Sequence, residues 1–124
     1  MATVRYVVRD VGDAIDFYAG LLGFTLIERY GPAMAILERD GLMLWVAGPL
    51  ASASRPLPDG RKPTPGGWSR FVLEVADLGQ VVEELTERGV TFVQSIVEGP
   101  GGRQTLCEDP SGNVIELFEA RRSE

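Results

Sequence analysis

One pattern occurs twice along this chain: an alternating apolar run, an aspartate, an amphipathic stretch closed by glycine, then three short β-prone runs. In the first copy Val4, Tyr6 and Val8 alternate with Thr3, Arg5 and Val7, the period of a half-buried strand over Val4 to Val8. Asp10 follows as a helix N-cap, and Val11, Ala14, Ile15, Tyr18, Leu21 and Leu22 recur at helical spacing as far as Gly23. The runs 24–29, 34–38 and 42–46 come next, parted by Gly31-Pro32 and by Asp40-Gly41, a hairpin signal. In the second copy Phe71, Leu73 and Val75 alternate with Arg70, Val72 and Glu74. Asp77 caps a helix carrying Leu78, Val81, Val82 and Leu85, with Gln80 placed to complete a capping box and Gly89 at the end. The runs 91–96, 103–107 and 114–118 close it, broken by Gly99-Pro100-Gly101-Gly102 and by the turn-rich Asp109-Pro110-Ser111-Gly112-Asn113. Laying Asp10 on Asp77 superposes Val4 on Phe71, Tyr6 on Leu73, Val8 on Val75, Val11 on Leu78, Ala14 on Val81 and Ile15 on Val82. This is the signature of a duplicated β-α-β-β-β unit.

Between the copies, 48–67 carries Pro49, Pro56, Pro58, Pro63 and Pro65 without apolar periodicity. It reads either as a plain linker or as an ordered functional loop, a lid or an interface. The organisation expected is module one over 1–47, this linker over 48–67 and module two over 68–124. A chain of 124 residues suits one domain with a real core. Its 12 Lys and Arg are scattered against 18 Asp and Glu, which leaves no electrostatic footprint for nucleic acid. The net charge of −6 favours a cationic ligand if the acidic groups converge on a cleft. The single cysteine, Cys107, precludes an intramolecular disulfide and reads as a small apolar filler in a reducing compartment. The start Met1-Ala2-Thr3-Val4-Arg5 lacks the pattern of a signal peptide, and no span approaches the ~20 apolar residues of a membrane helix, so a cytoplasmic protein without membrane contact is expected. Histidine is absent, which removes the usual ligand of zinc, iron and nickel and the usual acid–base group near neutral pH.

The strand before Asp10, Phe17-Tyr18, Leu21-Leu22-Gly23-Phe24, Leu73-Glu74-Val75-Ala76-Asp77-Leu78 and Asp109-Pro110-Ser111-Gly112-Asn113-Val114-Ile115-Glu116-Leu117 together resemble the glyoxalase, bleomycin-resistance and extradiol-dioxygenase superfamily, the vicinal oxygen chelate proteins. The resemblance spans nearly the whole chain. It implies an α+β fold in which two β-α-β-β-β modules form a cupped mixed sheet with helices outside, a ligand cavity lined by the inward faces, and commonly a homodimer. In the family's enzymes four inward positions hold a metal, and these fall on Thr3, Leu44, Arg70 and Glu116. Only Glu116 is a ligand type, since a threonine hydroxyl is a poor ligand, leucine is none and a guanidinium is a cation. No metal or other cofactor is therefore expected.

A carboxylate in the apolar run Val114-Ile115-Glu116-Leu117-Phe118 needs solvent, a partner or a role. If Arg70 and Glu116 both face the cup they can pair where the metal would have been, with Arg5 and Glu74 extending the network. Alternation adds Val72, Phe118, Gln104 and Leu106 to the cavity, and Leu42, Leu44 and Val46 as an apolar wall. Trp45 and Trp68 would stack on a planar ligand or pack in an interface. Two functions follow from the resemblance. One is metal-independent binding of a small molecule, cationic or aromatic, as in the bleomycin-resistance, antibiotic-sequestering branch. The other is a glyoxalase-like lyase or isomerase with Glu116 or Glu74 as base and Arg70 stabilising an enolate, although an arginine beside a carboxylate makes it a weaker base.

Overall fold

The structure is a computed structural model that describes residues 2–121. Its contacts divide into two units, 1–67 with 110–113 and 68–109 with 114–124. The fold class is α+β, with two helices and two mixed sheets among the described residues.

In the first unit β1 (Thr3–Val7), β2 (Thr25–Tyr30), β3 (Met34–Arg39) and β4 (Leu42–Ala47) form a sheet ordered β1-β4-β3-β2. β1 runs parallel to β4 and the other pairs are antiparallel, because the hairpin at Asp40-Gly41 needs only two residues whereas β1 must cross over through a helix. Asp40 and Gly41 take φ of 49° and 86°, the left-handed pair that this turn demands. The crossover helix is α1 (Val11–Gly20), whose N-cap Asp10 accepts a hydrogen bond from the Asp13 N–H at 2.8 Å. Helix α1 packs on β2, β3 and β4 with Val11, Ala14, Phe17 and Tyr18 buried. Tyr18 is fully buried and meets Phe17 and Phe24 edge-on, with ring centroids 5.0 and 5.5 Å away.

The segment 48–67 belongs to this unit and is internally hydrogen-bonded. A 3-10 turn over Ser52–Ser54 is anchored by Ser54 Oγ donating to the Gly48 carbonyl at 2.7 Å, and Ala51 and Ser54 are buried. Further on, the Leu57 N–H donates to the Arg61 carbonyl at 2.7 Å.

In the second unit β5 (Val72–Glu74), β6 (Thr91–Phe92), β8 (Gly102–Glu108) and β9 (Val114–Ala120) are ordered β5-β9-β8-β6, and β7 (Val97–Gly99) also pairs with β8. Helix α2 (Leu78–Glu87) has Asp77 as its N-cap, accepting from the Gln80 N–H at 3.1 Å. The capping box does not form. The Gln80 side chain donates forward to Glu84 Oε1 at 3.1 Å, and the Leu78 N–H donates to Glu119 Oε1 at 2.8 Å. Of the run expected over 91–96 only Thr91–Phe92 forms a strand, β6, while β7 begins after it at Val97, and Thr105 Oγ1 donates to the Gln94 carbonyl between the two.

Helix-covered faces hold the two cores. In the first they include Tyr6, Val8, Leu37, Leu44 and Val46, and in the second Leu73, Leu78, Cys107, Ile115 and Leu117, all buried. Each large apolar side chain so placed contributes about 1.5–3 kcal/mol relative to exposure. One expectation is overturned here. Leu44 is in register with Val4 and fully buried on the helix side, together with Val46, so Leu42, Leu44 and Val46 do not wall the open face. The parallel register puts Met43 beside Thr3 and Trp45 beside Arg5 instead.

Candidate functional site

Each sheet has a face that its helix does not cover. In the second unit strand alternation puts Val72, Glu74, Gln104, Leu106, Val114, Glu116 and Phe118 on that face. Glu116 sits between Val72 on β5 and Leu106 on β8, and Phe118 between Glu74 and Gln104. Arg70 reaches the same carboxylate: its Nε and Nη2 both donate to Glu116 Oε1, at 3.0 and 2.9 Å, while Nη1 donates to the Trp68 carbonyl at 3.2 Å. The Glu116 side chain is 12% exposed and that of Arg70 28%, so the carboxylate is mostly removed from water while the guanidinium keeps partial access to it. Burial of one charge alone would cost several kcal/mol, and each partner offsets that cost for the other. Glu74 joins no ion pair among the described residues. The expected network stops at Arg70 and Glu116 in this unit.

In the first unit the open face carries Thr3, Arg5, Glu28, Tyr30, Met34, Ile36, Glu38, Met43 and Trp45. Arg5 lies over the Trp45 ring with its guanidinium carbon 5.0 Å from the centroid, a cation–π contact. The indole Nε1 is buried with no hydrogen-bond partner among the described residues. Beside Arg5 is a hollow of ≈ 280 Å³ bordered by Tyr30, Met34, Leu50 and Ser52. Trp68, the other tryptophan, is exposed.

The turn Asp109–Asn113 is used structurally. Ser111 Oγ accepts from the Arg9 N–H at 2.8 Å, Asn113 Nδ2 donates to the Val7 carbonyl at 2.8 Å, and Asn113 Oδ1 accepts from the Gly66 N–H at 2.8 Å. Ser111 and Asn113 are buried, so these bonds satisfy backbone groups that would otherwise be stranded. The sequence marks a turn here but not the backbone groups it would close upon.

Cys107 is fully buried on the helix side of β8, and burial, with the Asp109 charge second, pushes its thiol up to about 12. This is an inert filler rather than a nucleophile.

The donor set does not fit the family's metal. Thr3 has Met43 as its in-register neighbour, Leu44 is on the wrong face, and the Glu116 carboxylate takes two N–H groups of a cation. Among the described residues no three His, Cys, Asp or Glu side chains gather closely enough to hold a metal ion. None of the described helices is long and apolar enough to cross a membrane. Sequence reasoning placed Arg5, Arg70, Val72, Glu74, Gln104, Glu116 and Phe118 on open faces but missed Trp45, Tyr30 and Leu50 as neighbours of Arg5. Alternation alone points to Trp45 only once the parallel register of β1 on β4 is known.

A family model described as the Glyoxalase/Bleomycin resistance protein/Dioxygenase superfamily matches residues 1–117. A solved member of that superfamily from Sphaerobacter thermophilus is 31% identical, covering 96% of this chain and 95% of its own, with a TM-score of 0.76. TnmS3, an antibiotic binding protein from Streptomyces sp. CB03234, is 27% identical over 96% of this chain and 93% of its own, with a TM-score of 0.73. A virulence protein of Salmonella typhimurium is 25% identical over 90% of this chain and 78% of its own.

Proposed function

Because the chain belongs to the Glyoxalase/Bleomycin resistance protein/Dioxygenase superfamily, we propose that it is a metal-independent small-molecule binding protein that holds a drug-like, cationic or aromatic ligand on an open sheet face. The observation that carries this reading is the Arg70–Glu116 pair. At the family's ligand positions it leaves a guanidinium where a metal ligand would stand and occupies the one remaining carboxylate. The likeness to an antibiotic binding protein at 27% identity supports binding as the task of such a face. Aromatic and apolar side chains with a few polar groups are what small-molecule sites are built from. The lyase or isomerase reading, with Glu116 or Glu74 as base, is less well supported. Glu116 already accepts two hydrogen bonds from Arg70, and Glu74 is exposed with no partner to orient it among the described residues.

In this reading the chain is one domain of two modules, 1–47 and 68–124, and works as a cytoplasmic homodimer without a cofactor. Light scattering on the purified protein tests the dimer. The binding reading is tested by a thermal-shift screen against aromatic antibiotics of both charges, since a ligand that binds only the folded state must raise the Tm. A saturable rise that is lost in Glu116→Ala supports it. No rise with any compound, together with stoichiometric metal and lyase turnover, would overturn it.

A further inference from the structure

Resting on that binding reading, we propose that the hollow on the open face of the first sheet is a subsite for an aromatic carboxylate, with the Arg5 guanidinium, stacked on Trp45, as its anion-binding group.

Arg39, Arg61, Arg70 and Arg103 each pair with an acid, but the Arg5 side chain has no ion pair and no hydrogen bond among the described residues. Its one contact of note is with the Trp45 ring, 5.0 Å away. A cation–π contact uses the flat face of the guanidinium and leaves the N–H edges free, and those edges match a carboxylate in bidentate fashion. The ring also restrains the side chain, so less freedom is lost when an anion arrives. The acids on the same face are Glu28, in the row of Arg5 beyond Trp45 and Ile36, and Glu38, two residues along β3 from Ile36. Strand spacings of ~4.8 Å and a rise of ~3.4 Å per residue put them roughly 14 and 12 Å away along the sheet. Both distances exceed a Debye length of ~8 Å at physiological salt, so neither acid neutralises Arg5. The same screening answers the net charge of −6, which favours a cation in general but reaches this hollow only weakly.

The remaining lining fits a flat apolar body. Tyr30 and Leu50 stand 54% and 72% exposed at the edge, with Met34 below and the Ser52 hydroxyl beside them. A volume of ≈ 280 Å³ accommodates one or two fused rings. None of the residues lining the hollow beside Arg5 is an acid. A guanidinium with free N–H edges and no acid beside it, next to exposed aromatic and aliphatic surface, selects an aromatic acid over an aromatic amine.

The test is a titration of the full-length, 15N-labelled protein with 2-naphthoate, 2-naphthalenemethanol and 2-naphthylmethylammonium, following the indole N–H resonances. Trp68→Phe assigns the Trp45 signal. Naphthoate is expected to shift the Trp45 resonance saturably, at least tenfold more tightly than the alcohol, while the amine leaves it in place. In Arg5→Met the naphthoate affinity should fall about tenfold with the alcohol unchanged, and Arg5→Lys should recover only part of the loss. Equal affinities for the three probes, or a preference for naphthoate that survives Arg5→Met in a folded variant, overturns the proposal. An aromatic cationic antibiotic that raises the Tm while naphthoate leaves Trp45 unmoved overturns the carboxylate assignment and leaves the binding reading standing.

Discussion

Arg70 and Glu116 meet through two N–H groups on a single carboxylate oxygen, Nε at 3.0 Å and Nη2 at 2.9 Å from Oε1. The contact joins the segment leading into β5 to the middle of β9, across the parallel pair that the Val72–Glu116 register defines. With the side chains 28% and 12% exposed, removal of either partner leaves a poorly solvated charge. Arg70→Met and Glu116→Gln are each expected to lower stability by about 1–3 kcal/mol. The double variant should lose less than their sum. A double-mutant cycle by urea denaturation checks this, and additive losses would show that the two charges do not depend on one another.

Asn113 spans the Val7 carbonyl and the Gly66 N–H with one amide. Asn113→Ala strands both backbone groups, at about 1–3 kcal/mol each. A chain of this size loses roughly 3–6 °C of Tm per kcal/mol. A drop of about 10 °C or more by differential scanning fluorimetry is expected. Asn113→Asp should not rescue it, because a carboxylate cannot donate to the Val7 carbonyl.

Gly102 has φ of 152°, and a Cβ there would overlap the Glu119 carbonyl across the β8–β9 ladder. Gly102→Ala is expected to cost more than ~2 kcal/mol, since the clash is with backbone rather than a flexible side chain. Gly60→Ala, at φ 91° with open space around it, should cost about 1 kcal/mol, from the left-handed backbone alone. Urea midpoints of the two variants give the comparison.

The Cys107 thiol is raised by burial, with Asp109 adding to it, from an ordinary value near 9 to about 12. Between these values the unfolded chain has released the thiol proton and the folded chain has kept it. Stability from this group is thus fully present below pH 9 and lost as pH rises toward 12, at up to ~1.4 kcal/mol per pH unit. Urea titrations at pH 8.5 and 10.5 should show a decline that is smaller in Cys107→Ala. The folded protein should also resist a thiol reagent at pH 8 until denaturant is added.

Much of this was legible along the chain. The two capping aspartates, the Asp40-Gly41 hairpin and the alternation that puts Glu116 and Phe118 on one face are local matters, set by side-chain periodicity and turn chemistry. These also carried the family resemblance and the departure of Thr3 and Arg70 from metal-ligand types. Other features lay beyond local reading. Gln80 looked like a capping-box partner, yet the Glu119 carboxylate, 41 positions away from Leu78, takes the helix N-terminus. The family resemblance puts Leu44 on the open face, but its register with Val4 buries it on the other, and a shift of one residue is enough to exchange the faces.

By itself, then, the sequence determined which segments become strands and helices, which residues alternate together, and that the usual metal ligands are missing. Tertiary structure alone decided who meets whom: Arg70 with Glu116, Arg5 with Trp45, and Asn113 with Val7 and Gly66. The reason is physical. Periodicity is a property of neighbours in the chain, whereas a parallel register, a long-range ion pair and the closing of a backbone group are settled by packing between segments 40 to more than 100 residues apart.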